Sequence, residues 1–222
     1  MTVNVLETLE TIKNSELFKD ELYFIGGTAL AYYLNHRISE DIDIVSAKTL
    51  NYKKIIPLIS LFGAVKIQDE NVTALRMAGL FPDEYMMKFI LNNVKIDFFQ
   101  ANRPIQKEIL KSATSTKYKD SNIKILDVKS IAKLKLVALL QREKSRDLFD
   151  FGAILENDIL TIQEIIDIAS QVSSIKTHSE LYNFIKQKKE PLDDESVYLS
   201  EDSGLNLTFN DIKIETLKRL NF

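Results

Sequence analysis

The stretch Phe24-Ile-Gly-Gly-Thr-Ala-Leu30, followed by His36-Arg-Ile-Ser-Glu-Asp-Ile-Asp43, decides how this chain is read. Residues 22–25 are a short β-rich run that Gly26-Gly27 stops. From Thr28 to Asn35 the apolar positions Ala29, Leu30, Ala31, Tyr33 and Leu34 have helical spacing, with Asn35 suited to the helix end. A strand that passes through Gly-Gly-Thr into a helix leaves unpaired N–H groups at the helix start. Those groups and the helix dipole favour an anion, and the missing side chains let a phosphate approach the backbone. Alone, the glycine pair fits an ordinary strand-to-helix turn equally well. The next segment, Asp41-Ile-Asp-Ile-Val45, alternates polar and apolar residues, as a strand with one wet face does. Asp41 and Asp43 then leave the same face while Ile42 and Ile44 meet the core. Two carboxylates that close repel one another unless a cation sits between them. Oxygen-only donors suit Mg²⁺ or Mn²⁺, and Mg²⁺ commonly takes one or two carboxylates plus substrate phosphates. The plain alternative is a solvated strand face.

A third acid lies further along. Asp97 falls mid-strand in Asn93-Val-Lys-Ile-Asp-Phe-Phe-Gln100, between Ile96 and Phe98, where an uncompensated carboxylate is costly. Lys95 shares its face by strand parity, so a simple Lys95–Asp97 ion pair is the bland reading. If this strand lies beside the one carrying Asp41 and Asp43, three carboxylates converge beside the glycine turn. Two divalent ions there would form a phosphoryl-transfer site, one lowering the pKa of an attacking hydroxyl and the other stabilising a leaving pyrophosphate.

The chain has 222 residues, 45% apolar and 27% charged, a globular composition sufficient for one sizeable core or two small ones. A net charge of -3 excludes a uniformly basic nucleic-acid coat but leaves room for a local basic patch. With no cysteine, disulfides, thiolate zinc sites, iron–sulfur clusters and cysteine nucleophiles are excluded together. The two histidines, His36 and His178, are too few for a histidine-rich metal site, and both read as surface residues. The longest apolar runs fall far short of the ~20 residues that cross a bilayer. The N-terminal sequence lacks the pattern of a signal peptide, so no membrane association and a cytoplasmic location are expected.

Further strands are expected at 64–68, 73–77, 86–91 and 94–100, the last two joined by an Asn92-Asn93 hairpin turn. Helices are expected at 5–18, 53–62, 104–112, 128–142, 146–156, 161–171, 178–188 and 210–220, with an extended piece at 123–126. Pro57 should sit in the first turn of its helix or break it, and the acidic run 190–202 should be an exposed loop. The pattern predicts an α+β chain with a mixed sheet and flanking helices in residues 1–102, followed by a helical region at 103–222.

Gly26-Gly27-Thr28, then Arg37-Ile-Ser39-Glu-Asp41-Ile-Asp43, then Asp97, resembles the nucleotidyltransferase superfamily with the DNA-polymerase-β-like fold. The likeness is to the AbiEii/AbiGii branch, abortive-infection toxins of type IV toxin–antitoxin pairs. It continues through Leu134-Lys135-Leu136-Val137-Ala138, Arg142 and Ser145-Arg146-Asp147-Leu148-Phe149-Asp150, and spans roughly residues 24 to 155. The resemblance implies that residues 1–102 are the catalytic domain and that 103–222 complete the nucleotide and acceptor site. It implies nucleotide binding by Gly26, Gly27, Thr28, Arg37, Ser39, Lys135 and Arg146, metal binding by Asp41, Asp43 and Asp97, and catalytic roles for Asp41, Asp43, Asp97 and Lys135. Ser39 could bond a phosphate or fix its loop, and Asp97 could bind metal or act as base. The implied reaction is Mg²⁺- or Mn²⁺-dependent transfer of an NMP from an NTP to an RNA, tRNA or protein hydroxyl, releasing pyrophosphate, with a separately encoded antitoxin as partner. Transfer to a small aminoglycoside-like acceptor and a non-catalytic nucleotide-binding module are the alternatives. Read physically, Ser145 is a good N-cap, Asp147 suits the first helical turn, and Arg146 with Asp150 form an i,i+4 pair.

Overall fold

A computed structural model describes residues 1–68, 72–192, 197–199 and 206–221. The chain divides into two compact units. One comprises 1–29 and 39–127, the other 30–38 and 128–222. The division differs from one at 102/103, because residues 104–127 extend the sheet of the first unit.

The first unit is built on a mixed seven-stranded sheet in the order β3-β4-β5-β2-β1-β7-β6. Its strands are β1 (Tyr23–Ile25), β2 (Ile42–Ser46), β3 (Val65–Ile67), β4 (Met86–Leu91), β5 (Val94–Gln100), β6 (Ser115–Lys117) and β7 (Lys124–Leu126). β2 is central, antiparallel to β1 and parallel to β5. On one sheet face Phe24, Ile42, Ile44, Ile96 and Phe98 are wholly buried. Helix α1 (Val3–Ile12) adds Val5, Leu9 and Ile12 to this core. The β4–β5 turn is the expected hairpin: Asn92 and Asn93 have φ of 52° and 60°, the left-handed pair that matches strand twist.

Several expectations needed correction. The helix expected over 5–18 ends at Ile12, and a separate 3₁₀ turn, Glu16–Lys19, follows with Ser15 as its cap. Residues 73–77 form a helix rather than a strand, α4 (Val72–Met77). Ala74, Leu75, Arg76 and Met77 are good helix formers, and they outweigh the β-branched start. Gly79, at φ 77°, then closes the helix: its N–H reaches the Arg76 carbonyl and that of Leu80 the Leu75 carbonyl. In α3 (Tyr52–Ser60), Pro57 lies inside the helix. Burial of Ile55 and Ile59 holds the turn despite one missing hydrogen bond. The acidic run 190–202 lies largely outside the described residues; within it Val197–Tyr198 pairs with Asn206–Leu207 as a short ladder.

The second unit is helical. α2 (Gly26–Leu34) starts in the first unit and contributes its later residues here. The remaining helices are α6 (Val128–Gln141), α7 (Ser145–Glu156), α8 (Ile162–Val172), α9 (His178–Gln187) and α10 (Phe209–Leu220); α5 (Pro104–Ser112) belongs to the first unit. α7 packs on α6 and α10, burying Leu136, Leu148, Phe151, Ile154 and Ile212. Thr161, Thr177 and Thr208 open α8, α9 and α10 through capping boxes with Glu164, Glu180 and Asp211. α7 departs from expectation: Lys144 occupies its cap position without a capping hydrogen bond from its side chain, and Ser145 is already helical. Among the described residues no helix is long and apolar enough to cross a membrane.

Candidate functional site

In the first unit the glycine turn and the acidic strand are joined by direct contacts. β1 ends at Ile25, paired with Asp43, so the following Gly26 stands beside the Asp43 side chain. Gly26 has φ 83°, and a Cβ there would fall 2.0 Å from Asp43 Oδ2. Only glycine fits this backbone and this neighbour together. Gly26→Ala is therefore expected to destabilise the protein by about 1–3 kcal/mol and to displace Asp43. Thermal denaturation of the alanine variant checks the first effect, and divalent-ion titration checks the second.

Two residues on, the Thr28 hydroxyl donates to the backbone carbonyl of Asp41 and lies 2.8 Å from the Ser39 hydroxyl. Thr28 and Ser39 are both buried. Of the two roles considered for Ser39, this geometry supplies loop fixation, tying the entry to β2 onto the start of α2. Asp41 precedes the first residue of β2, and Asp43 is half-buried within it.

The parallel pairing of β2 with β5 puts Asp43 directly beside Asp97. Neighbours in register share a sheet face, so both carboxylates leave the same side. Ile42 and Ile44 point the other way, into the core, as the alternation predicts. The Lys95–Asp97 ion pair also exists, with Nζ 2.9 Å from Asp97 Oδ2. Partial burial works against the Lys95 charge. The hydrogen bond and charge of Asp97, with the fields of Asp41 and Asp43, outweigh it and raise the lysine pKa. The other Asp97 oxygen, Oδ1, is buried and accepts no hydrogen bond, a costly state for a carboxylate in the absence of a partner. Among the described residues no three Asp, Glu, His or Cys side chains close into a metal cage. The donors nevertheless suit a hard cation that needs only one or two carboxylates: all are oxygen, and one is buried and unspent.

The second unit gathers the later motif residues into a buried charge cluster. Asp150, wholly buried, is approached by Arg37 Nε at 2.7 Å, His36 Nε2 at 2.7 Å and Lys135 Nζ at 2.7 Å. Asp147 takes Lys135 at 3.3 Å and, in a two-pronged contact, Arg142 at 2.5 and 3.0 Å. Burial alone would push both carboxyls up. Lys135 first, then Arg37 for Asp150 and Arg142 for Asp147, holds them down, Asp150 well below the usual range. Burial likewise opposes the Lys135 charge, but Asp150 and Asp147 overcome it and raise its pKa.

His36, expected at the surface, is half-buried, with its side chain only 6% exposed against Asp150 and stacked on Phe149 with ring centroids 5.9 Å apart. No local periodicity signals that contact, since the partners are 114 residues apart in sequence. Arg146 is half-buried in the first turn of α7, where Asp147 also lies as the dipole favours.

The chain is similar to several known proteins. The family model described as "Nucleotidyl transferase AbiEii toxin, Type IV TA system" matches residues 9–207. An uncharacterised Aquifex aeolicus (strain VF5) protein is 26% identical over 159 residues, 72% of this chain and 69% of its own length. Among solved structures, one assigned as a nucleotidyltransferase from H. pylori superposes with a TM-score of 0.51 at 17% identity, covering 100% of this chain and 95% of its own. The nucleotidyltransferase toxin MenT4 from Mycobacterium tuberculosis H37Rv gives 0.50 at 13% identity, covering 98% and 81%. At such identities the two structures speak for the shared fold alone.

Proposed function

Because this chain belongs to the AbiEii nucleotidyltransferase toxin family of type IV toxin–antitoxin systems, we propose that it transfers an NMP from an NTP to an acceptor hydroxyl with release of pyrophosphate. The observation that carries this reading is the register of β2 with β5, which sets Asp43 beside Asp97 on the face next to the Gly26 turn. In the reaction the acceptor oxygen bonds to the α-phosphorus as the bond from that phosphorus to the bridging oxygen of the β-phosphate breaks. The hydroxyl loses its proton, and Asp97 is the candidate base if it does not bind the ion.

Asp41, Asp43 and Asp97 would hold Mg²⁺ or Mn²⁺. When bound, the ion would supply charge neutralisation at the phosphates and a more acidic acceptor hydroxyl. Gly26, Gly27 and Thr28 present the start of α2 to the triphosphate, where backbone N–H groups and the helix dipole favour negative charge. Ser39 keeps that turn attached to the acidic strand through Thr28. Phosphate contact by Arg146 is supported by the family resemblance of its motif. For Arg37 and Lys135 the buried pairs with Asp150 favour ordering of the helical unit over direct contact, since both cations are already neutralised.

An RNA or tRNA end is the acceptor class the toxin family favours, with a protein hydroxyl next, and a separately encoded antitoxin is the implied partner. The experiment is transfer of α-³²P label from each of the four NTPs, with Mg²⁺, to total RNA, to protein and to aminoglycosides in parallel. Label on RNA is the expected result, and label confined to an aminoglycoside would replace the proposed acceptor. The Lys95–Asp97 pair favours a second reading, a module that binds nucleotide without turning it over. Calorimetric NTP binding with no labelled acceptor in any arm would establish that reading and overturn transfer.

A further inference from the structure

We propose that Lys95 is a resident counter-cation of Asp97, a positioning residue that holds its carboxylate until a divalent ion displaces the ammonium. The inference rests on the metal-binding reading above and deepens it by giving one of the chain's own cations a role toward the ion. Asp43 and Asp97 are side by side in adjacent strands, and Asp41 lies two residues before Asp43. Three carboxylates in that setting repel one another in the absence of positive charge. Lys95 precedes Asp97 by two residues on β5, so its side chain leaves the same face.

Its Nζ lies 2.9 Å from one Asp97 oxygen and leaves the other buried and unpartnered. The neutralisation of Asp97 is thus incomplete: one of its two oxygens has the ammonium and the other has no donor. A divalent ion brings twice the charge and bonds carboxylate oxygens more closely, at about 2.0–2.1 Å for Mg²⁺. Displacement is also mechanically easy. The Lys95 side chain is 38% exposed, and its flexible stem can return the ammonium to water without disturbing the ladder. Lys88, opposite Asp97 on β4, shares the sheet face and provides a control of the same charge.

The test uses the full chain without nucleotide and reads free Mn²⁺ by electron paramagnetic resonance during titration. Lys95→Gln and Lys95→Met are expected to tighten Mn²⁺ binding about three- to tenfold, because the ion no longer competes with a bound charge. By mass action, saturating Mn²⁺ should raise their melting midpoints more than that of wild type. Lys95→Arg should retain wild-type affinity, and Lys88→Gln should change it less than twofold or so. Unchanged or weaker Mn²⁺ binding in Lys95→Gln, or equal tightening in Lys88→Gln, overturns the role of Lys95 while the metal site stands. Absence of Mn²⁺ binding in wild type and in both Lys95 variants removes the metal site as well.

Discussion

Replacing Asp43 by asparagine is expected to reduce nucleotidyl transfer by at least ~10³-fold, or about 4 kcal/mol of transition-state stabilisation. The fold should survive the change. β2 is held by ladders on both sides, to β1 and to β5, and Ile42 and Ile44 are buried beneath it. An amide keeps the shape of the carboxylate, so Gly26 meets the same outline. What disappears is one of the charges that would bind the ion, together with its repulsion of Asp97, and the melting midpoint should stay level or rise slightly. Single-turnover labelling from an NTP with Mg²⁺, beside a thermal melt of the same preparation, measures both effects. Equal labelling by wild type and Asp43→Asn would exclude Asp43 from the reaction.

Asp150→Ala should act on stability instead, costing the helical unit about 3–5 kcal/mol. The alanine takes from the buried Arg37 and Lys135 the carboxylate they share, and His36 Nε2 loses its contact. Against a total margin of roughly 5–15 kcal/mol, that is a large fraction, and a midpoint lowered by about 12 °C or more is expected by calorimetry. A midpoint within two or three degrees of wild type would show that the cluster contributes little. The same cluster sets a pH signature. The Asp147 and Asp150 pKa values are depressed on folding, so their contribution is complete above the unfolded carboxylate range, ~3.9, and is lost as pH falls through their folded values. The Lys135 pKa is raised, so its contribution is complete below about 10.4 and is lost as pH climbs through its higher folded value. Asp150→Ala should accordingly flatten the acid limb of the stability profile below about pH 4.

The site in the first unit was legible in the amino-acid order because its determinants are local. Strict alternation in Asp41-Ile-Asp-Ile sent the isoleucines inward, Gly-Gly after a β-rich run marked the turn, and Asn92-Asn93 set the hairpin that carries Asp97. The adjacency of Asp43 and Asp97 was a condition rather than a deduction, since register between strands 54 residues apart leaves no local trace. The buried cluster was less visible for the same reason. Arg37, Lys135 and Asp150 each belong to recognisable motifs, but local spacing offered Asp150 only Arg146 four residues away and gave no hint of His36 or Arg37. At 73–77 the helix formers Ala74 to Met77, closed by Gly79, outweighed the β-branched start, and at Pro57 two buried isoleucines outweighed the proline.

The helical unit includes nine residues, 30–38, drawn from the interior of the other unit's sequence. Severing the polypeptide after Asp127 would therefore not release two self-sufficient pieces, because the C-terminal fragment would leave behind His36 and Arg37, two of the groups that neutralise Asp150. Neither a protease nor a gene split at that point can isolate a complete helical unit. Complementation of such halves would require the short borrowed segment to be supplied in trans.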